Sequence, residues 1–238
     1  MPKFNITFVA GVSAILAALL YAGVFTFLAI NFNYPDSLDG TAQIVLPNLL
    51  NMGQTGRLVW VLYALISLLW IPMAVGVYQN LKQYNPGTML LSQVLAIIAG
   101  VSGTIGLARW STLQWSLAEL FIKADDSQKA IISTLFDSFN LYFGQFFGEF
   151  VSEMSWSLFF VLVGLTLFKI QSRVKWFGLL TIFTGFIHII AAFRNVWSPA
   201  YSLQEIINTI LYLPIFLIVF GIVFIVRSGE IVEKIGSN

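Results

Sequence analysis

Two carboxylates stand four residues apart in Gly148-Glu149-Phe150-Val151-Ser152-Glu153, a spacing that places both on one face of a helix. Gln145 extends that face by another turn. Adjacent carboxylates need a cation or a proton, and the nearby candidates are Arg109 and Arg194. Arg109 follows a run of about 20 uncharged residues, and Glu149 comes back to the same depth on the returning helix. An arginine there keeps its charge and offers a planar fork of donors suited to bidentate pairing with a carboxylate. The expected centre of the cluster is therefore Arg109, contacted by Glu149 or Glu153. Such a set is either an ion-pair cluster that locks helices together or the wall of a ligand or proton site. Trp110, Asn140 and Tyr142 fall near the same level. Aromatic walls with a few polar groups describe small-molecule sites. The candidate ligand-binding set is thus Arg109, Trp110, Asn140, Tyr142, Gln145, Glu149, Glu153 and Arg194.

Simpler readings stand beside this one. An interfacial aromatic belt accounts for Trp110, Trp115, Trp156, Trp197, Tyr142 and Tyr201 without any function. The stripe Asn140, Gly144, Gly148, Ser152, Ser155, with Gly100, Gly103 and Gly106 on another segment, reads first as close helix packing and second as a narrow cavity wall. His188 is the only histidine. It is a weak candidate for an axial ligand of haem or chlorophyll, and a hydrogen-bonded packing role is the simpler expectation. No cofactor and no metal site are predicted. The absence of cysteine excludes disulfides and thiolate chemistry. Gly-x-Ser-x-Gly and phosphate-loop patterns are absent, so no nucleophile–base set can be assembled.

The elements that position these residues follow from composition. Of 238 residues, 58% are apolar and 10% charged, against roughly 25% charged in soluble domains. The surrounding medium must be lipid. Unbroken apolar runs of about 20 residues read as helices rather than barrel strands. The expected fold is an all-α membrane bundle of about six spans, near 5–31, 57–80, 88–109, 149–169, 174–193 and 205–226, in one domain. Residues 110–148 exceed what a third and fourth span need. They are expected to form an outer helical hairpin, turning at Lys123-Ala124-Asp125-Asp126-Ser127 and resting in the membrane interface.

With both termini inside, the inner loops carry Lys3, Lys82, Lys169, Arg173, Lys175, Arg227 and Lys234, and the outer side carries most of the acids. The positive-inside rule therefore places the termini in the cytoplasm. The net charge of +1, without a basic tract, excludes nucleic acid as a partner.

Two stretches carry a resemblance. Arg109-Trp110-Ser111-Thr112-Leu113, then Leu117-Ala118, and Phe139-Asn140-Leu141-Tyr142-Phe143-Gly144, ending in Gly148-Glu149, are together similar to an uncharacterised family of bacterial multi-pass membrane proteins, a domain of unknown function. The expected location is a bacterial inner (plasma) membrane, and the resemblance implies no particular activity. It marks Arg109, Trp110, Asn140, Tyr142, Gly144, Gly148 and Glu149 as the positions to inspect.

The first functional expectation is binding or transport of a small molecule in an outer-facing pocket. The alternative is a non-catalytic subunit of a larger membrane complex, associated with pigment or an electron carrier. Expected partners are membrane lipid, a small-molecule ligand and, on the alternative, other membrane subunits.

Overall fold

The computed structural model describes residues 6–170, 174–209 and 211–226. Lys3, Arg173, Arg227 and Lys234 of the predicted charge bias lie outside them, as does the predicted start of the first span. The described residues are helical and contain no strand. The helices are α1 (Ile6–Phe32), α2 (Ala42–Asn51), α3 (Gly53–Ile66), α4 (Trp70–Leu81), α5 (Pro86–Ser111), α6 (Leu113–Phe121), α7 (Asp126–Phe139), α8 (Ser152–Lys169), α9 (Val174–Ala191), α10 (Ser198–Thr209) and α11 (Tyr212–Val226). A 3-10 turn, Ser67–Leu69, joins α3 to α4, and a π-helical stretch, Asn140–Val151, joins α7 to α8.

Five continuous helical segments are long and apolar enough to cross a membrane among the described residues, and α10 with α11 make a sixth if the bent pair is one span. The chain is a multi-pass membrane protein. The third span begins where sequence logic puts it. Asn85 caps α5 by accepting from the Thr88 amide at 3.3 Å, and Pro86 occupies the first turn, where its missing N–H costs nothing.

The sixth span differs from the unbroken helix predicted at 205–226. The helical pair there begins at Ser198 and bends by 60° between α10 and α11. Leu211 at the bend has φ 49°, a left-handed conformation that an α-helix cannot continue through. The first extramembrane loop also holds a helix, α2, that apolar patterning did not separate from turn.

Helix α1 packs on α11, α4 and α3, while α5 packs on α8, α4 and α3, and α9 lies along α8. Two apolar cores result. One, near the chain termini, contains Met73, Phe159, Phe160, Phe216 and Phe220. The other, at the opposite end, contains Phe32, Trp60, Trp110, Trp115 and Phe136.

The predicted hairpin is present as α6 and α7, but its environment is different. It packs on α2 of its own chain. Trp115, Phe121 and Phe136 are buried there, and Trp110 stacks on Trp60 at 5.0 Å. Trp110, Trp115 and Trp156 are thus core residues and not an interfacial belt. Trp197, Tyr201 and Tyr142 remain exposed.

The close packing expected of the small residues occurs between α5 and the π-helical stretch. A Cβ on Gly106 would lie 2.3 Å from the Cα of Gly148, so only glycine permits this approach.

Candidate functional site

Arg194 follows α9, and because α9 lies along α8 its guanidinium meets both glutamates. Its Nη2 is 3.1 Å from Glu149 Oε2, and its Nη1 is 2.6 Å from Glu153 Oε2. Asn195 donates to the same Glu149 oxygen at 2.7 Å. Burial alone would lower the Arg194 pKa, but the Glu153 and Glu149 carboxylates more than offset it and hold the guanidinium above its ordinary value. The Oε1 atoms of both glutamates make no hydrogen bond or ion pair among the described residues.

Arg109 is not paired as predicted. Its Nε donates to Asn140 Oδ1 at 3.1 Å, its Nη1 donates to the Gly106 carbonyl, and its guanidinium lies 4.9 Å from the Trp110 ring centre. The reason is local. Gly144 has no side chain, and a Cβ there would be 2.5 Å from Arg109 Nη2, so the guanidinium settles flat on the helix backbone. Asn140 Oδ1 also accepts from Gln114 Nε2 at 2.9 Å, tying the hairpin to the same arginine. The π-helical winding between Asn140 and Val151 is rare at such length and is often found at functional positions.

Both arginines face one cavity of about 740 Å³. Of the predicted site residues, Arg109, Trp110, Glu149, Glu153 and Arg194 line it, and so does His188. Asn140 acts behind the wall by holding Arg109. Gln145 is outside the lining, and Tyr142 faces outward, stacked on Phe146 at 6.2 Å.

Gly103, Gly106, Gly144, Gly148 and Ser152 of the small-residue stripe also line the cavity, whereas nothing in the sequence marked its walls at Tyr21, Tyr34, Tyr63 and Trp70. Tyr63 lies between two tyrosines, its hydroxyl 3.1 Å from that of Tyr34 and its ring 5.7 Å from that of Tyr21. Burial raises the Tyr34 hydroxyl above its ordinary pKa. Trp70 stacks on Trp156 at 5.6 Å, and His188 sits against Trp156 at 4.5 Å. Of these, His188 stands out in the sequence as the single histidine, and Trp156 only as one of seven tryptophans. Tyr21, Tyr63 and Trp70 sit inside apolar runs, where an aromatic residue carries no sign of which face it occupies.

The rim is formed by exposed Asp36, Asp39, Asn195, Tyr201 and Glu205. Partial desolvation and the Glu149 carboxylate raise the Asp39 pKa, against the lowering influence of Arg194 and Arg109.

His188 does not have the hydrogen-bonded packing role expected of it. Both ring nitrogens are buried without a partner among the described residues. Trp110 Nε1 and Gln204 Oε1, on the same cavity wall, are buried and unpartnered as well. Buried polar groups are nearly always hydrogen-bonded, so three such groups around one cavity require a reason. No group of three or more His, Cys, Asp or Glu among the described residues could hold a metal ion.

Residues 9–226 match the family model described as Domain of unknown function (DUF4386). The chain belongs to that family. The match takes in every wall of the cavity, so the DUF4386 region and the charged site are one unit. No curated protein and no solved structure matches the chain.

Proposed function

We propose that this DUF4386 protein binds a small molecule in the cavity between α1, α3, α5, α8, α9 and α10–α11, either to carry it across the membrane or to sense it. The observation that carries this reading is the wall itself. About 740 Å³ of space falls in the 300–1,000 Å³ range of ligand sites, and aromatic surface there is interrupted by a few held charges and unpartnered polar groups. A polar ligand would supply partners to His188, Trp110 and Gln204. The bent α10–α11 pair lends weight to the transport version, because broken helices recur at transporter binding sites. With the termini in the cytoplasm, the rim opens to the outer side.

The test is a thermal-shift screen of the purified protein against small amines, carboxylates and neutral compounds. A ligand at 100 times its Kd stabilises by about 2.7 kcal/mol, enough to raise Tm measurably. Ser67 lines the cavity, and Ser67→Leu fills part of it. At least one compound should stabilise wild type and fail to stabilise Ser67→Leu. If every compound shifts both proteins equally, the cavity is not a binding site.

A further inference from the structure

The charges around the cavity are unequal in number and in use. Asp36, Asp39, Glu149, Glu153 and Glu205 line it, against Arg109 and Arg194: five carboxylates to two guanidiniums. The arginines already have acceptors. Arg194 is divided between the two Oε2 atoms, and Arg109 is taken up by Asn140 and the Gly106 carbonyl. Glu149 and Glu153 are used on one side only, each leaving its Oε1 without a partner among the described residues. Among the unpartnered groups of the wall, the acceptors Glu149 Oε1, Glu153 Oε1, Gln204 Oε1 and one His188 nitrogen outnumber the donors, Trp110 Nε1–H and the other His188 nitrogen, and the wall's excess charge is negative.

Two independent features agree with this. His188 is 2% exposed and unpartnered at both ring nitrogens, and Gln204 Oε1 is a buried orphan acceptor on the same wall. A neutral imidazole offers one acceptor nitrogen. The remaining surface is aromatic, with Tyr34, Trp70, Trp156 and Tyr201 among the lining residues, and aromatic faces attract cations.

Resting on the pocket reading above, we infer that the ligand is an organic ammonium ion. Its N–H groups meet the unpartnered oxygens of Glu149 and Glu153, and its apolar body lies against Trp70 and Trp156. Asp36 and Asp39 at the rim raise the local concentration of such cations. A free carboxylate or phosphate compound would face the Glu149 and Glu153 carboxylates with only the neutral N–H groups of Trp110 and His188, among the unpartnered groups, to receive it.

The chain has no cysteine, so Ser67→Cys places a single thiol on the cavity wall. Purified Ser67→Cys is treated with three methanethiosulfonates: aminoethyl (cationic), sulfonatoethyl (anionic) and methyl (neutral). Each rate is divided by that reagent's rate with free 2-mercaptoethanol. A cleft of one charge sign changes local ion concentration by about 10- to 1,000-fold. The corrected cationic rate should exceed the anionic rate by at least about tenfold. Asp39→Asn, which leaves the Arg194 network intact, should reduce that ratio severalfold, and Glu153→Gln should reduce it in any preparation that remains folded. A ratio near one, a ratio favouring the anion, or a ratio unchanged by Asp39→Asn overturns the ammonium assignment. Continued reaction of the methyl reagent would then leave the pocket reading standing. If none of the three reacts, the pocket reading falls and takes this inference with it.

Discussion

Arg109 and Arg194 lie on the same cavity wall but are held by different chemistry. Arg194 is locked between two carboxylates, whereas Arg109 donates to neutral oxygens. Removing one partner of a buried ion pair strands the other charge at a cost of about 3–5 kcal/mol. Losing a hydrogen bond made by a charged group costs about 1.5–3 kcal/mol. Arg194→Ala should therefore destabilise more than Arg109→Ala in denaturant titrations of the detergent-solubilised protein. Arg194→Leu combined with Glu149→Gln and Glu153→Gln should recover part of the loss, since no stranded charge remains. If Arg109→Ala proves the more damaging, the network has been assigned to the wrong cation. Depth along a helix was legible in the sequence, and the four residues it grouped, Glu149, Glu153, Arg109 and Arg194, line one cavity. Azimuth was not, because an α-helical count through Asn140–Val151 misplaces side chains on a π-helical backbone. Gly144, read as packing, was the residue that diverted Arg109.

At the scale of the elements, the long apolar runs were enough to show several spanning helices, the cap at Asn85 marked the start of α5, and the turn near Asp125 marked the tip of the hairpin. What an apolar run does not encode is a break inside it, so the bend at Leu211 was missed. The glycines give a matched pair of tests. Gly106 touches Gly148 across the helix pair, whereas nothing lies within 4 Å of a Cβ on Gly23. Gly106→Ala should lose about 1–3 kcal/mol by overpacking, and Gly23→Ala should gain up to about 1 kcal/mol through helix propensity. Equal effects in thermal melts would mean that α5 does not approach the π-helical stretch so closely.

The hairpin offers a pH test. Asp125 forms a capping box with Gln128, and the Gln128 amide with the Ser127 hydroxyl holds its carboxyl below the ordinary range. An acid whose folded pKa is depressed adds stability above its unfolded value, near 3.9, and loses it as pH falls through the folded value. The loss should therefore begin below about pH 4. Amide exchange at Gln128 and Lys129, corrected for intrinsic rates, should show protection falling there, and Asp125→Ala should remove that dependence. A loss centred near neutral pH would contradict the capping assignment.

For the molecule as a whole, composition settled the medium and the helical class, while the cavity emerged only from the way six helices converge. Its rim and the hairpin lie at one end of the bundle, so topology decides which compartment it samples. With the termini in the cytoplasm, a cysteine at Asp39 or Asp125 should react with an impermeant maleimide applied to intact cells, and one at Lys82 should not. The reverse pattern would turn the cavity inward. The central claim, that the cavity holds a small molecule between Glu149, Glu153 and the His188 wall, is met most directly by an experimental density map of the protein purified from its native membrane. The account predicts an open cavity with compact non-protein density contacting the free oxygen of Glu149 or Glu153. A map in which Tyr63, Trp70 and Trp156 have closed together and filled the space would contradict it.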